Sequence, residues 1–322
     1  MEIKTIYYLA ICIGLLTTAC KSKQAGQPEN KTATPKVSLV VLGTLQDAGS
    51  PQIGCTKNCC KSLFEHPDPN RQVVALGLSD NEEHKTYLFE ATPDISRQVK
   101  QLKQYNPQTA TEIPDGIFLT HAHIGHYTGL MYLGKEAANA QQVTVYAMPG
   151  MKTYLENNGP WSQLVAQKNI LLTPLKNETP VPLTNNITVT AFTVPHRDEF
   201  SETVGYTIQG PNKKAFFIPD IDKWEKWTKN IQEEIKNVDY AFIDATFYSG
   251  EEINNRDIST IPHPFVIESM DRFKQLNETE KQKIIFIHFN HTNPLIDSTS
   301  KEYKKVAQAG FKIARKGQVF NL

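Results

Sequence analysis

Three histidines within six residues constrain this chain more than any other feature. They lie in GIFLTHAHIGHYTGL, residues 116–130, directly after the apolar run of a short predicted strand. In an extended segment, residues i and i+2 project to the same side, so His121 and His123 are placed to bind one ion together. Gly125 allows a bend, and His126 then opens a predicted helix. Because imidazole is the commonest side-chain metal ligand, the pattern favours a metal site over three surface histidines at a strand end.

Strand-like and helix-like stretches alternate along the chain after residue 36. The predicted strands span residues 37–43, 73–78, 85–91, 116–120, a β-rich group at 187–218, 240–244 and 284–288. The predicted helices span residues 94–105, a stretch from His126, 223–236, a stretch near 265–276, and 301–309. Two β-rich blocks, each followed by helices, favour an α/β fold built as an αβ/βα four-layer sandwich over a doubly wound sheet.

The histidine segment resembles the H-x-H-x-D-H signature of the metallo-β-lactamase fold superfamily, with Gly125 where the family carries aspartate. Later segments that resemble strand-end motifs of the superfamily are residues 192–208, 215–222, 237–250 and 284–295. The resemblance covers nearly the whole chain after residue 37 and implies the same four-layer sandwich. Within the superfamily, residues 41–60 and the Asn-His-Thr-Asn-Pro run look most like pyrroloquinoline-quinone biosynthesis protein B. The cyclic phosphodiesterase of the carbon–phosphorus lyase pathway is the next most similar.

The resemblance implies a first metal site with three histidine ligands. They are His121, His123 and His196, the last of which follows the strand-like run 187–194. Three histidines with an open fourth position match catalytic zinc. Taken alone, His196 would be an ordinary surface loop histidine, and its position just past a strand end favours the functional interpretation.

A second metal site is implied by the same resemblance. Asp220 ends the strand AFFIP, where the family places the carboxylate that bridges two ions, and His126 and His288 complete the site. Asp222 is the alternative bridge, although we expect it to act as an N-cap for the predicted helix 223–236.

Gly125 leaves this second site without the family's aspartate. We therefore expect the second site to be weaker than the first, to bind a different metal, or to stay empty. Three other carboxylates, Asp47, Glu90 and Asp244, are candidates to compensate. Glu90 also occupies the family's early acidic position at a strand end, where the usual role is to support a ligand.

Asp220 and His263 are the predicted catalytic residues. His263, in the segment IPHPF, lies in a region where related phosphodiesterases keep a histidine that donates a proton to the leaving group. The alternative is that His263 caps the helix that follows it.

A separate cluster of cysteines lies in the segment GCTKNCC. Three cysteines, Cys55, Cys59 and Cys60, cannot all pair with one another. Cys59 and Cys60 are also adjacent, which is poor geometry for a disulfide. Both similar proteins carry a cysteine trio that binds a structural zinc, usually spaced C-x-C-x-x-C, whereas this chain has C-x-x-x-C-C. In the phosphodiesterase the fourth ligand is a histidine three residues after the last catalytic one, which corresponds to His291 here. A Cys₃His zinc site is therefore implied, and a Cys59–Cys60 or Cys55–Cys59 disulfide is the alternative.

Residues 1–20 predict export. A basic residue precedes an apolar run, residues 6–16, that is too short to span a membrane and is followed by Thr-Thr-Ala-Cys. The pattern resembles a bacterial lipobox with Cys20 as the lipidated residue, and an ordinary secretory signal is the alternative. Residues 21–36 form a polar tether, and residues 37–322 form the metal-dependent domain. We expect an exported lipoprotein, anchored to a membrane and facing the periplasm or the cell surface.

These features predict a metallo-hydrolase in which metal-activated water attacks a small-molecule substrate, with a phosphodiester or related ester as the implied class. One or two zinc ions are the expected cofactor, with manganese or iron as alternatives at the active site. The 34 basic and 34 acidic residues balance, and we expect no nucleic-acid partner. The alternative is a non-hydrolytic redox or metal-binding protein, which the similarity to the quinone-biosynthesis protein supports.

Overall fold

The computed structural model describes residues 35–253 and 257–322. The predicted signal peptide, most of the tether and the lipidation candidate Cys20 lie outside the described residues. Near the start of the described residues, the exposed Lys36 ammonium forms an ion pair of 2.6 Å with Glu82. No helix among the described residues is both long and apolar enough to cross a bilayer.

The described strands form two mixed sheets of seven strands each. In spatial order the first sheet consists of β14 (Val319–Asn321), β1 (Val37–Gly43), β2 (Ala75–Asp80), β3 (Lys85–Phe89), β4 (Gly116–Phe118), β5 (Val143–Ala147) and β6 (Ile170–Pro174). The second sheet consists of β13 (Lys312–Ile313), β12 (Ile284–Ile287), β11 (Tyr240–Asp244), β10 (Lys214–Ile218), β9 (Val204–Gln209), β8 (Thr188–Thr193) and β7 (Pro180–Pro182). Strands β3 to β6 run parallel, and so do β10 to β13.

Nine α-helices lie between the strands along the described residues. They are α1 (Asn58–Lys61), α2 (Ile95–Tyr105), α3 (Ile124–Tyr127), α4 (Pro149–Asn157), α5 (Trp161–Ala166), α6 (Ile231–Lys236), α7 (Val266–Arg272), α8 (Glu278–Lys281) and α9 (Lys301–Gln308). Helix α2 packs on β1 and β2, α4 and α5 pack on β6, and α9 packs on β13.

Buried apolar side chains form three layers of core. Along β1 the side chains alternate, as strand geometry requires. Leu39 and Val41 join the cluster between the two sheets, whereas Val40 and Leu42 join the cluster under α2. A third cluster lies between the second sheet and helices α6, α7 and α9. Three apolar layers separate four layers of secondary structure, so the predicted αβ/βα sandwich is confirmed.

One predicted helix is wrong. Residues 223–236 do not form a single helix, because Trp227 is extended and its indole N–H donates to the carbonyl of Thr193 at 3.0 Å. Helix α6 begins only after Asn230, whose side chain accepts a hydrogen bond from the backbone N–H of Gln232 at 2.9 Å. Asparagine favours the N-cap position, and docking of the indole ends the preceding turn.

Polar side chains follow the carboxyl ends of five strands, and these ends meet at one edge of the sandwich. They are Glu90 after β3, His121 after β4, Asp220 after β10, Asp244 at the end of β11 and His288 after β12. In open α/β sheets, this edge is where ligands bind.

Candidate metal centre

The predicted first ligand set converges beyond the end of β4. Nε2 of His121 lies 2.8 Å from Nδ1 of His123, and Nε2 of His196 lies 3.2 Å from Oδ1 of Asp220. One ligand atom from each of these four residues lies within 4.8 Å of the other three. Two ligands of one zinc ion, each about 2.1 Å from it, lie at most about 4 Å apart. Only small shifts are needed for the four atoms to share an ion.

A second ligand set adjoins the first. It contains the predicted His126, His288 and Asp220, together with Asp47. Nε2 of His126 lies 2.8 Å from Oδ1 of Asp47 and 3.8 Å from Oδ2 of Asp220. Nε2 of His288 lies 3.6 Å and 3.8 Å from the same two oxygens. Asp220 belongs to both sets, which is the position of a carboxylate that bridges two ions.

Buried polar atoms without partners lie at this centre. Among the described residues, both ring nitrogens of His196, Nε2 of His288 and Oδ1 of Asp220 are buried and accept or donate no hydrogen bond. Buried polar atoms are normally satisfied, so each exception needs an explanation. Divalent cations bound at the two ligand sets would satisfy one nitrogen of each imidazole and the Asp220 oxygen, and a mixed set of imidazoles and carboxylates suits zinc, manganese or iron.

The protonation states of His121 and Asp220 suit metal binding. Burial lowers the pKa of His121 well below its usual value, which keeps that imidazole neutral. Burial acts to raise the pKa of Asp220, but the imidazoles of His196, His263 and His288 outweigh it and hold the pKa well below the usual range. Neutral imidazoles and ionised carboxylates are the forms that bind metals.

The second set has a different charge balance. Burial acts to lower the pKa of His126, but the carboxylates of Glu90 and Asp47 outweigh it and raise the pKa well above its usual value. Burial acts to raise the pKa of Asp47, but His126 and His288 hold it well below the usual range. In the absence of an ion, these carboxylates therefore favour the protonated form of His126, and an ion that binds here displaces its proton.

Other side chains orient the ligands from behind. Oε1 of Glu90 lies 3.3 Å from Nδ1 of His126, which leaves Nε2 to face the centre. The hydroxyl of Thr246 lies 2.8 Å from Nδ1 of His288 and has the same effect. Glu90 and His288 both have positive φ angles, 77° and 70°. Non-glycine residues in this region of φ are found at functional sites.

Two supporting threonines were not among the residues predicted from the sequence. Thr120 places its hydroxyl 2.9 Å from Nδ1 of His121, and Thr246 binds His288. The available signal was their position, because each threonine stands within two residues of a strand-end ligand or acid. A ligating histidine usually hydrogen-bonds through its second nitrogen, and this rule could have pointed to both threonines.

His263 lies at the centre and not at a helix end. Its Nδ1 is 2.9 Å from Oδ2 of Asp244 and 3.1 Å from Oδ1 of Asp220. Burial acts to lower the pKa of His263, but the two carboxylates outweigh it and raise the pKa to about 10. Helix α7 is capped instead at Phe265, whose N–H donates to the carboxylate of Glu268 at 2.8 Å. The helix-cap alternative for His263 is therefore wrong.

Asp222 lies away from both ligand sets. Its carboxylate accepts a hydrogen bond from the N–H of Lys223 at 2.7 Å and pairs with the ammonium of Lys226 at 2.7 Å. The structure thus places Asp220, and not Asp222, between the two sets.

The predicted structural zinc ligands also converge. One ligand atom each from Cys55, Cys59, Cys60 and His291 lies within 4.8 Å of the others. All three cysteines are free, so neither alternative disulfide is present. Burial raises the pKa of Cys60 to about 11, and a bound zinc would supply the charge that removes its proton. Three thiols and one imidazole fit a closed, four-coordinate zinc site.

Comparison with known proteins identifies the family. Residues 85–289 match the family model described as the beta-lactamase superfamily domain. The chain belongs to this superfamily. The histidine motif, the strand-end ligands and the four-layer sandwich that carried the sequence resemblance are thus those of a superfamily member.

Relatives within the beta-lactamase superfamily are similar along most of their length. The coenzyme PQQ synthesis protein B of Methylorubrum extorquens strain PA1 is 24% identical over 307 residues, which cover 88% of this chain and 99% of the relative. The crystal structure of Zn²⁺-bound PqqB from Methylobacterium extorquens superposes with a TM-score of 0.72 at 22% identity, covering 88% and 100% of the two chains. A diphosphatase of the PhnP family superposes with a TM-score of 0.63 at 20% identity, covering 88% and 96%. The two superpositions show that these proteins share a fold with this chain.

Proposed function

We propose that this superfamily member is a metal-dependent hydrolase that cleaves small-molecule phosphodiesters or related esters. The observation that carries the proposal is the pair of adjacent ligand sets that share Asp220, with His263 beside them. One or two divalent ions bound there would supply a water of lowered pKa and polarise the bond under attack.

The ligands and the residues that orient them have different roles in this proposal. Three histidines of the first set, His121, His123 and His196, would hold one ion together with the shared Asp220, and water or substrate would bind as a further ligand. The shared carboxylate of Asp220 fixes the separation between the two sets. Glu90 and Thr246 hold the imidazoles of the second set in orientation, so that little rearrangement is needed on substrate binding.

His263 is placed to donate a proton to the leaving group. Its Nδ1 is held by Asp244 at 2.9 Å, and that carboxylate is fixed in turn by the N–H of Ile221 at 3.1 Å and by Thr246 at 2.7 Å. This leaves Nε2 of His263 to contact a substrate, and the side chain is 11% exposed. A histidine whose proton is retained by neighbouring carboxylates can act as a general acid at neutral pH.

A positive group at the rim favours an anionic substrate. Nη2 of Arg197 lies 3.5 Å from Nε2 of His123, and the side chain of Arg197 is 55% exposed. Glu199 lies 3.9 Å from the same guanidinium and partly balances its charge. Arginine matches phosphate oxygens in a planar, two-pronged geometry, which supports the choice of a phosphodiester over a neutral ester.

The test uses leaving groups of different acidity. Protein reconstituted with zinc or manganese is assayed on a panel of phosphodiesters, lactams and thioesters, and the best substrate class is then varied. His263→Ala should slow hydrolysis of alkyl phosphodiesters by about 10²–10⁴-fold and slow nitrophenyl phosphodiesters far less, because a nitrophenolate departs without a proton. Equal losses of rate on both kinds of phosphodiester would show that His263 is not the general acid. No turnover of any ester by the metal-loaded protein would overturn the hydrolase proposal.

A non-hydrolytic function is the second candidate. The relatives named as coenzyme PQQ synthesis protein B, 24% identical to this chain, favour it. The identity of the bound metal separates the two functions. Zinc or manganese in protein purified without added metal supports hydrolysis, whereas iron that changes oxidation state on reaction supports a redox function.

We also propose that the protein is an exported lipoprotein attached to a membrane through Cys20. The support is the short apolar run that ends in Thr-Thr-Ala-Cys and the polar tether behind it. Cys20→Ser should release soluble protein or leave an unprocessed precursor, as membrane fractionation and intact mass would show. Unchanged processing and fractionation of this variant would place the anchor elsewhere.

A further inference from the structure

The space beside Gly125 is filled by another part of the chain. A Cβ atom added at Gly125 would lie 2.4 Å from Cα of Asp47, 2.7 Å from its Oδ1 and 2.8 Å from its Cβ. The backbone of Asp47 cannot move aside as a flexible side chain would. Residue 125 therefore has to be glycine for as long as Asp47 occupies its present position.

The carboxylate of Asp47 faces the ligands of the second set. Its Oδ1 lies 2.8 Å from Nε2 of His126 and 3.6 Å from Nε2 of His288, and the side chain is only 12% exposed. Asp220 approaches the same two nitrogens from its own position, at 3.8 Å from each. The four residues surround one point with two imidazoles and two carboxylates.

The backbone around Asp47 is tied to the strand end that carries His288. The N–H of Gln46 donates to the carbonyl of Phe289 at 2.8 Å, and the N–H of Phe289 donates to the carbonyl of Thr44 at 2.8 Å. These two hydrogen bonds fix the loop after β1 against the residue that follows His288. A ligand held in this way is positioned by the fold and not by a mobile loop.

The two other candidate carboxylates do not fill the gap. Glu90 contacts Nδ1 of His126, on the side of the ring away from Asp47. Asp244 accepts hydrogen bonds from the N–H of Ile221 and from Thr246, and lies 2.9 Å from Nδ1 of His263. Asp244 is grouped with His263, His288 and Asp220, whereas Asp47 is the one of the three that is grouped with His126, His288 and Asp220.

We propose that Asp47 is a ligand of the second metal site and takes the place of the aspartate that the motif lacks at Gly125. Asp47 supplies the carboxylate that the family has at the position of Gly125. Glycine at 125 leaves the room that the Asp47 backbone needs. The inference rests on the proposed metal centre and alters the sequence-based expectation, since a second site completed by Asp47 has no missing ligand.

The test measures bound metal and not activity. Full-length protein is equilibrated with Mn²⁺ or Zn²⁺ at a series of free-ion concentrations, and bound ions per chain are determined by elemental analysis. Asp47→Asn and Asp47→Ala are compared with Asp271→Asn, a matched change of an exposed aspartate in α7. With Mn²⁺, electron paramagnetic resonance reports whether two ions form a coupled pair.

We expect Asp47→Asn and Asp47→Ala to weaken binding of one ion at least tenfold and to abolish the coupled-pair signal, while the other ions stay bound. Gly125→Asp should also lose that ion, because its side chain collides with Asp47. Far-ultraviolet circular dichroism checks that each variant is folded. Asp271→Asn should match the wild type.

Two results would overturn the inference: a wild type that binds no second ion at the centre, or Asp47 variants that bind it as tightly as the wild type. Failure of the proposed function looks different. In that case the wild type binds two ions and Asp47 variants lose one, but no ester is hydrolysed.

Discussion

The two clusters of metal-ligand side chains differ in how their residues are distributed along the chain. The centre around Asp220 draws its ligands from the ends of several strands, and His263 beside it remains partly exposed. The cysteine cluster takes three of its four members from residues 55–60 and the fourth, His291, from the segment after β12. The first cluster has two adjoining ligand sets beside the partly exposed His263, whereas the second has the four ligands of a single structural zinc site. We infer that the first serves turnover and the second serves stability.

Asp220→Ala gives the largest expected effect and tests the turnover half of this comparison. Loss of the shared carboxylate removes a ligand from both sets, and activity should fall by at least about 10³-fold. The control is Asp222→Ala, two residues away and outside both sets, which should stay within a few-fold of the wild type. Steady-state kinetics on the best phosphodiester substrate measure both. Similar losses in the two variants would mean that the shared carboxylate has no special role.

Cys60→Ser tests the inference that the cysteine cluster serves stability. If the cluster binds zinc, loss of one thiolate ligand should destabilise the fold by about 4 kcal/mol or more, because loss of a structural metal belongs to the most damaging class of change. The midpoint of thermal unfolding should fall by roughly 8 °C or more. Differential scanning calorimetry with zinc analysis measures both quantities.

The Cys60→Ser variant should keep the active-centre metal while it loses one zinc. A wild-type protein with no zinc beyond the active centre, or with a disulfide in non-reducing mass analysis, would contradict the comparison. Removal of all metal by a chelator should combine the two outcomes, with lost activity and a lowered unfolding midpoint.

Glu252→Gln tests the stability of the region beside the cysteine cluster, with a smaller effect that depends on pH. Glu252 accepts a hydrogen bond from Thr292, the neighbour of His291, at 3.3 Å, and burial raises its pKa from 4.5 to about 7. Between these two values the folded protein binds more protons at this residue than the unfolded chain does. The contribution of Glu252 to stability therefore falls as pH rises through this window, by on the order of 3 kcal/mol in total.

Glutamine mimics the protonated carboxyl and has no such dependence. The stability of the wild type relative to Glu252→Gln should therefore decrease from pH 4.5 to pH 7, as urea unfolding at several pH values would show. Metal content at the active centre should be the same in both proteins. A constant difference in stability across this range would mean that the carboxyl is ionised throughout.

Most of the fold could be predicted from local patterns. Strand β1 was predicted with its observed bounds, Val37–Gly43, because a short run rich in β-branched valine that ends in glycine favours a strand over a helix. The interruption of the predicted helix 223–236 could not be predicted, since docking of the Trp227 indole onto Thr193 is a contact between distant parts of the chain. Propensity gives no information on such contacts.

The candidate centre, like the fold, could be predicted from the sequence only in part. Sequence determined which residue types stand at strand ends, and the resemblance added His196, Asp220 and His288, which the structure brings together with His121 and His123. It also showed that an aspartate is missing at Gly125, because a motif is a local property of the chain.

Only the tertiary structure decided which carboxylate fills that gap. Asp47, Glu90 and Asp244 were equal candidates in the sequence, and each stands near the end of a strand. The choice depends on the backbone hydrogen bonds that hold the loop after β1 against Phe289, and on the absence of a side chain at Gly125. Chain spacing does not encode which side of an imidazole a distant carboxylate approaches, because that is set by how the two sheets pack.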